Sequence, residues 1–263
     1  MQDEPQKEPA PKVSIVMAVH GGGKWLEQAI DSVEDQSMHD WELVCVLDDV
    51  TAEVDRILTQ RMADSRIRFI RLGKTGGATV ARNMGLVGAR GAMIAILDSD
   101  DQWTPDHLEL AVNYLEENHD VLLVGSRYQR VDSDGLNLGV AVRVPRRLVA
   151  VKMLVRNAFC HSAVVYRRAV AESVGGYPDG VSIGEDYCLW LKLAGMGKVH
   201  NLEEVSVKYR RHENQISREV LDQTSSSQIL ANKLELARKL RIPSRLVKIL
   251  HSFWLKRQNL EVG

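Results

Sequence analysis

The segment Asp98-Ser99-Asp100-Asp101 places three carboxylates within four residues, directly after the apolar run 92–97. Carboxylates this close together repel one another unless a positive group lies between them. Mg²⁺ and Mn²⁺ are held in proteins by one or two carboxylates, with substrate phosphates completing the coordination. The motif therefore indicates a metal-assisted phosphate site. A solvated acidic turn that caps the next helix would have the same composition.

Two further acidic pairs could take part in the same chemistry. Asp48-Asp49 ends an apolar run, where a carboxylate can accept a hydrogen bond from a nucleotide base or a ribose hydroxyl, or cap the following helix. Glu185-Asp186 opens a helical pattern, where acids are stabilised by the helix dipole. Alternatively, one of the two faces a pocket and removes a proton from an attacking hydroxyl. Spacing alone does not choose between these roles.

Basic residues that could bind a diphosphate occur in two places. Gly76-Gly77 precedes a helical pattern containing Arg82, so backbone N–H groups and a guanidinium could both meet phosphate, or the glycines could simply close a turn. Arg210 and His212 end a late strand-like run, where the arginine could hold a diphosphate and the histidine could bind a metal. Cys160-His161 has no identifiable partner carboxylate and is interpreted as packing at a strand edge.

Alternating strands and helices are the elements that would bring these residues together. Short runs rich in Val, Ile and Leu lie at residues 13–19, 43–47, 67–70, 92–97 and 121–125, with helical patterns between them. Continuous apolar runs of this length are typical of a parallel sheet covered by helices, whose ligands bind beyond the carboxyl ends of the strands. We therefore predict an α/β fold with a mainly parallel central sheet flanked by helices.

The second half of the sequence is less regular. Residues 127–147 mix charge, glycine and proline and predict a loop or hairpin, whereas 163–166 and 205–209 predict strands and 184–194 a helix. Thr104-Pro105 has the pattern of an N-cap followed by proline at the first helical position, which predicts a helix from there to about residue 117.

Composition excludes several classes of protein. The chain has 263 residues, 44% of them hydrophobic and 26% charged, with a net charge of -1, so it is neither disordered nor globally basic like many nucleic-acid-binding proteins. Its three cysteines are widely spaced, which argues against a disulfide framework or a zinc site and favours a reducing compartment. With neither an apolar run of about 18 residues nor a secretory signal, we expect a cytoplasmic location.

The C-terminal stretch differs in charge from the rest. Residues 231–257 contain eight Lys and Arg residues and one acid, Glu235. Apolar residues recur there at helical spacing, with Trp254 beside them: Leu246, Ile249, Leu250 and Phe253. This pattern predicts a basic amphipathic helix that lies on the cytoplasmic face of an anionic membrane, or that packs on the preceding domain or on a second copy of the chain.

In order and spacing, the motifs resemble family 2 glycosyltransferases with the GT-A fold over about residues 12–217. The segments that carry the resemblance are Val13-Ser14-Ile15-Val16-Met17, Trp41-Glu42-Leu43-Val44, Asp48-Asp49, Gly76-Gly77-Ala78, Ala81-Arg82-Asn83, Asp98-Ser99-Asp100-Asp101, Gly175-Gly176-Tyr177, Glu185-Asp186-Tyr187 and Tyr209-Arg210-x-His212. The polar, proline-rich start predicts a disordered tail at 1–11, the resemblance implies a catalytic domain at 12–220, and the basic helical pattern predicts an extension at 221–263. Within the domain, residues 12–101 form the nucleotide-sugar half and 102–220 the acceptor half.

The resemblance also implies an activity. A sugar would move from a nucleotide-sugar, usually UDP-linked, to a hydroxyl of a glycan or lipid-linked acceptor, with inversion at the anomeric carbon and Mn²⁺ or Mg²⁺ as cofactor. Cell-envelope polysaccharide or glycan synthesis would be the setting. Asp186 matches the catalytic base, and Glu185 would orient it or bind the acceptor.

The same resemblance assigns the remaining site residues. Contacts to the nucleotide-sugar are implied for Ala18, His20, Asp49, Arg82, Asp98, Ser99, Asp100 and Arg210, and contacts to the metal for Asp100, Asp101 and His212. The residues around His20 and Val50 depart from the usual family pattern. A non-catalytic nucleotide-sugar-binding protein on the same fold is therefore the alternative. A nucleotidyltransferase ranks last, because no basic glycine-rich nucleotide loop lies near the start of the chain.

Overall fold

The computed structural model describes residues 9–73, 75–141, 145, 148–213, 215 and 221–261. Its strands are β1 (Val13–Gly21), β2 (Trp41–Val50), β3 (Ile67–Arg71), β4 (Met93–Ile96), β5 (Gln102–Trp103), β6 (Val121–Val131), β7 (Asn137–Val140), β8 (Val164–Arg167) and β9 (Lys198–Arg210). Its helices are α1 (Leu26–Glu34), α2 (Ala52–Arg61), α3 (Gly77–Gly88), α4 (His107–Glu117), α5 (Val149–Lys152), α6 (Arg168–Ser173), α7 (Glu185–Met196), α8 (Gln223–Lys239) and α9 (Ser244–Glu261). Most of the predicted tail, residues 1–8, lies outside the described residues.

All the strands belong to one sheet, in the order β3-β2-β1-β4-β8-β6-β9-β5, with β7 added beside β6. Strand β1 is apolar along its length and is buried between β2 and β4, to which it runs parallel, as does β3 to β2. Strand β8 is antiparallel to both β4 and β6, so β6 and its parallel neighbour β9 have the same direction as β4. The predicted α/β fold is confirmed, with a mixed sheet in which β5, β7 and β8 run opposite to the other strands, and the carboxyl ends of β1, β2, β4, β6 and β9 share one edge.

Strands β6 and β9 extend well beyond the predicted apolar runs. Strand β6 continues past residue 125 to Val131 and turns into β7, and β9 begins at Lys198 rather than near residue 205. The additional residues of β6 are polar and half-buried, so they lack the apolar pattern by which a strand is recognised.

Helix α4 begins later than predicted, at His107, and Thr104 is not its N-cap. The backbone N–H of Thr104 donates to the carbonyl of Ser206 in β9 at 2.9 Å, which keeps this residue in extended pairing with the sheet. The side chain of Gln36, at the end of α1, instead accepts from the N–H of Leu108 at 2.9 Å. A distant residue therefore satisfies a donor in the first turn of α4.

The C-terminal extension forms two helices, so the prediction of a single helix is wrong. Helices α8 and α9 meet at Arg241, which has a φ of 57°, and at Pro243, which cannot continue a helix. Val247 and His251 of α9 are buried against the domain, and Trp254 is half-buried. Three other apolar residues of α9 face outward and are 47%, 46% and 65% exposed: Leu246, Ile249 and Phe253. No helix within the described ranges has an apolar stretch long enough to cross a membrane.

Candidate active site

A cavity of about 1550 Å³ opens at the edge of the sheet where the carboxyl ends of the strands meet. In the described part of the chain it is lined by nine residues that the sequence predicted: Ala18, His20, Arg82, Asp98, Ser99, Asp100, Glu185, Asp186 and His212. Three other predicted residues, Asp49, Asp101 and Arg210, do not line it. Strands β1, β4 and β9 and the first turns of α3 and α7 thus contribute to one site.

Arg82 connects the acidic turn after β4 to the start of α7. Its guanidinium lies 3.2 Å from Oδ1 of Asp98 and also donates a hydrogen bond to the carboxylate of Glu185. Burial raises the pKa of Glu185 despite the opposing charge of Arg82. Both acceptors of this guanidinium are protein carboxylates. Arg82 therefore holds the acidic turn after β4 and the start of α7 together whether or not a diphosphate is present.

His161 is a site residue that sequence reasoning missed. Its Nδ1 lies 3.0 Å from each carboxylate oxygen of Asp98, and its Nε2 lies 3.1 Å from the hydroxyl of Tyr177. Although burial opposes ionisation of Asp98, the charges of His161 and Arg82 outweigh it and hold its pKa below the usual range. Asp98 is thereby kept as a carboxylate and fixed in orientation. Cys160 also lines the cavity, but it is packed in the hydrophobic core as interpreted, and burial raises its pKa well above the usual value.

Asp186 lies in the first turn of α7, which follows Gly184 at a φ of 79°. Its Oδ2 accepts a hydrogen bond of 2.9 Å from the amide of Asn157, and its Oδ1 accepts one of 2.6 Å from the N–H of Tyr187. These two donors set the direction of the carboxylate. Asn157 carried no recognisable motif, and its position beside Asp186 follows from tertiary contacts.

Asp100 and His212 form a pair that faces the cavity. Nε2 of the histidine lies 2.8 Å from Oδ2 of Asp100, and the two side chains are 13% and 25% exposed, respectively. Burial and the neighbouring charge of Asp98 raise the pKa of Asp100, opposed by His212. A carboxylate oxygen and an imidazole nitrogen this close together are a donor set that fits Mn²⁺ if phosphate oxygens complete the coordination.

Asp101 does not fit the predicted role of metal ligand. It is only 1% exposed, and its carboxylate accepts hydrogen bonds of 2.5 Å from the hydroxyl of Ser162 and 2.7 Å from the N–H of Arg210. Burial, with the charges of Asp100 and Asp98, raises its pKa well above the usual value. Asp101 therefore ties the acidic turn to β9. Over the residues with described placement, no three acidic, histidine or cysteine side chains are grouped to hold a metal by themselves.

Arg210 is also placed differently from the prediction. Its guanidinium donates to the backbone carbonyls of Asp100 and Asp132 at 2.9 and 3.3 Å and to the side chain of Gln28 at 2.9 Å. The residue is 2% exposed, so it braces the acidic turn from behind. The next residue, Arg211, is exposed and lines the cavity.

The opposite end of the cavity is formed by the carboxyl ends of β1 and β2. Nδ1 of His20 lies 2.7 Å from the carbonyl oxygen of Asp48. The carboxylate of Asp48 accepts hydrogen bonds from the N–H groups of Gly76 and Gly77 at 3.1 and 2.8 Å, so it caps α3 and not α2, the following helix that the sequence suggested. Asp49 is exposed at a φ of 51° and lies outside the cavity lining, so its contact with a base stays a prediction.

Solved structures share this architecture. Staphylococcus aureus TarS residues 1–349, in a complex with UDP-GlcNAc, matches 94% of this chain and 72% of its own chain with a TM-score of 0.74 at 16% identity. The mannosyltransferase PcManGT from Pyrobaculum calidifontis, in a complex with GDP-Man and Mn²⁺, matches 97% and 74% with a TM-score of 0.62 at 18% identity. At these identities the likeness shows the fold alone, which is the GT-A-like fold.

The family follows from the sequence comparison. The model of glycosyl transferase family 2 matches residues 14–175, and the chain belongs to this family. The putative teichuronic acid biosynthesis glycosyltransferase TuaG of Bacillus subtilis is 28% identical over 211 residues, which are 79% of this chain and 82% of TuaG. An uncharacterised glycosyltransferase of Rickettsia bellii is 26% identical over 205 residues. The match covers 76% of this chain but only 29% of the Rickettsia protein.

Proposed function

We propose that this protein is an inverting, metal-dependent glycosyltransferase that moves a sugar from a UDP-sugar to an acceptor hydroxyl in cell-envelope polysaccharide synthesis. One observation carries the proposal: Asp186 and the Asp100–His212 pair line the same cavity, at the carboxyl edge of the sheet. Family membership supports the reaction type. The polysaccharide setting is supported by the name of TuaG, and the donor by the UDP-GlcNAc complex of TarS.

Metal dependence rests on the donor set described above and on the Mn²⁺ found in the PcManGT complex. Asp100 and His212 would hold the ion, with Asp98 fixed beside them by His161 and Arg82. Bound there, a divalent ion would neutralise charge on the departing diphosphate. Mg²⁺ is equally compatible with an oxygen-rich site of this kind.

Inversion rests on a single displacement with one protein base. Asp186 would take the proton of the acceptor hydroxyl as its oxygen attacks the anomeric carbon, while the bond from that carbon to the diphosphate oxygen breaks on the opposite face. The hydrogen bonds from Asn157 and from the N–H of Tyr187 hold the carboxylate for this step. Glu185 is engaged by Arg82, so it would position the first turn of α7 rather than exchange protons.

Nucleotide binding and release provide the test of the proposed function. UDP with Mn²⁺ should raise the melting temperature by several degrees, because a ligand at about 100 times its Kd adds about 2.7 kcal/mol of stability. UDP with a chelator should have a much smaller effect, and Mn²⁺ alone is the matched control. A panel of nucleotide-sugars should then contain one from which UDP is released. Stabilisation without release from any donor and acceptor would favour the non-catalytic alternative.

We also propose that α9 brings the protein to the cytoplasmic face of an anionic membrane, where a lipid-linked acceptor would be available. Its outward apolar residues are accompanied by the exposed cations Arg245 and Lys256. This combination matches helices that lie in the interface of acidic lipids, where each basic residue adds about 1 kcal/mol. Packing on a second copy of the chain is the competing explanation.

Co-sedimentation with phosphatidylserine-containing liposomes distinguishes these two explanations. Replacing Leu246, Ile249 and Phe253 together by serine should reduce the bound fraction several-fold, because each buried apolar side chain is worth about 1.5–3 kcal/mol. Val87→Ser is the matched control, since Val87 is 80% exposed on α3. A wild-type chain that stays in the supernatant and elutes as a dimer, with the triple variant monomeric, would contradict membrane contact.

A further inference from the structure

Helix α9 supplies part of the cavity wall, although it lies outside residues 14–175, which match the family model. Trp254 and Gln258 are one helical turn apart on its inward face, and both line the cavity. The indole ring of Trp254 lies 6.0 Å from the ring of Tyr187, which directly follows Asp186. The two α9 residues therefore lie on the side of the cavity where Asp186 lies.

The position of Trp254 is set by a buried lysine, Lys233. Nζ of Lys233 in α8 lies 4.3 Å from the centroid of the indole ring, and the ring of His251 is 5.4 Å away. Lys233 has no exposed surface and donates a hydrogen bond of 3.2 Å to the carbonyl of Val155. Trp254 is itself half-buried, so a fixed indole is presented to the cavity. Such a surface is suited to stack against the C–H groups of a sugar ring.

Arg156 adds a positive charge on the same side of the cavity. It is exposed, it lines the cavity, and the next residue, Asn157, holds Asp186 by a 2.9 Å hydrogen bond. Its charge adds to the effect of burial in lowering the pKa of Lys152, one turn earlier. Within the described residues Arg156 has no ion-pair partner. A guanidinium in this setting is available to pair with a carboxylate or phosphate of a ligand.

We propose that Trp254, Gln258 and Arg156 form an acceptor subsite that takes a sugar carrying an anionic group, either a carboxylate or a phosphate. The indole would stack on the ring, the Gln258 amide would hydrogen-bond to its hydroxyls, and the guanidinium would pair with the anion. This inference rests on the proposed function, because the hydroxyl to be activated must reach Asp186. The C-terminal extension would then select the acceptor, while the family-matching segment binds the donor.

The test is a ligand-observed NMR titration of the full chain, with UDP and Mg²⁺ present, against three probes. Methyl β-D-glucuronide and glucose 6-phosphate carry the two anions, and methyl β-D-glucoside is the neutral reference. At least one anionic probe should bind about ten-fold tighter than the neutral one, a difference of about 1.4 kcal/mol. The stronger of the two anionic probes identifies whether carboxylate or phosphate is preferred.

Variants then assign the contacts. Trp254→Ala should weaken binding of all three probes by about ten-fold, the scale of a lost stacking contact. Arg156→Gln should lower the affinity for the anionic probes to that for the neutral probe. Lys248→Gln, at an exposed position on α9, should leave the affinities for the anionic and the neutral probes unchanged. Gln258→Ala serves as a second variant of the α9 wall that leaves the packing around Lys233 intact.

Two results would overturn the subsite. One is equal affinity of the wild-type chain for the three probes, and the other is unchanged probe binding in both Trp254→Ala and Arg156→Gln. UDP affinity, measured in the same samples, shows that each variant is folded and separates this inference from the proposed function. A wild-type chain that binds no UDP would contradict the proposed function instead.

Discussion

Replacing Asp186 by asparagine should lower kcat for sugar transfer by about 10²–10⁴-fold, the usual contribution of a general base. Asparagine has the same shape and keeps an oxygen that can accept the hydrogen bond from Asn157 or from the N–H of Tyr187. It cannot take up the proton of the acceptor hydroxyl. The affinity for UDP with Mn²⁺ should therefore stay near the wild-type value. Initial rates of UDP release, with and without acceptor, measure kcat, and thermal unfolding at increasing UDP concentration with Mn²⁺ measures the affinity.

The matched control for this prediction is Asp179→Asn. Asp179 is an exposed carboxylate that precedes α7 and does not belong to the described cavity lining. Its replacement should leave kcat unchanged. If Asp186→Asn transferred sugar at the wild-type rate, Asp186 would not be the base, and Glu185, which lines the same cavity, would be the next residue to replace.

Replacing Asp100 by asparagine should reduce kcat/KM by about 10²-fold or more, because the metal contributes several kcal/mol of charge stabilisation when the diphosphate leaves. The substitution removes the negative charge that lies 2.8 Å from His212 and keeps the side-chain volume. A higher Mn²⁺ concentration should be required for half-maximal activity. The same shift should be visible as a loss of Mn²⁺-dependent stabilisation by UDP in thermal unfolding.

Asp101→Asn is the control that separates the two neighbouring acids. Asp101 is buried and holds the hydroxyl of Ser162 and the N–H of Arg210, so its replacement should lower the melting temperature. The Mn²⁺ concentration for half-maximal activity should not change. If Asp101→Asn changed the Mn²⁺ concentration for half-maximal activity and Asp100→Asn did not, the assignment of these two residues would be reversed.

A few side chains connect the acidic turn after β4 to the first turn of α7. Arg82 links Asp98 to Glu185, and His161 links Asp98 to Tyr177. All these groups are polar and mostly buried, and they hydrogen-bond to one another. Such a network resists rearrangement, because breaking one contact leaves a buried charge uncompensated. The acidic turn after β4 and the first turn of α7 are therefore positioned as one unit.

The alternation of apolar runs and helical patterns was sufficient to predict the parallel half of the sheet and to place the acidic turns at its carboxyl edge. Strands β1, β2 and β4 are buried on both faces, so their apolar side chains are nearly continuous and directly readable. The ordered motifs also identified the family. The second half of β6 was predicted only as part of a loop or hairpin, because its half-buried polar side chains lack that pattern, and the structure shows the hairpin with β7.

Only the tertiary structure decided which polar residues face the cavity. Within Asp98–Asp101 the sequence shows equivalent acids, yet Asp100 faces the cavity and Asp101 points into the domain, where Ser162 and the backbone of β9 bind it. Arg210 was expected to contact the donor but is buried. His161 was expected only to pack at a strand edge but contacts the carboxylate of Asp98. The physical reason is that apolar burial depends on local periodicity, whereas the direction and pKa of a charged side chain depend on partners far away in the chain.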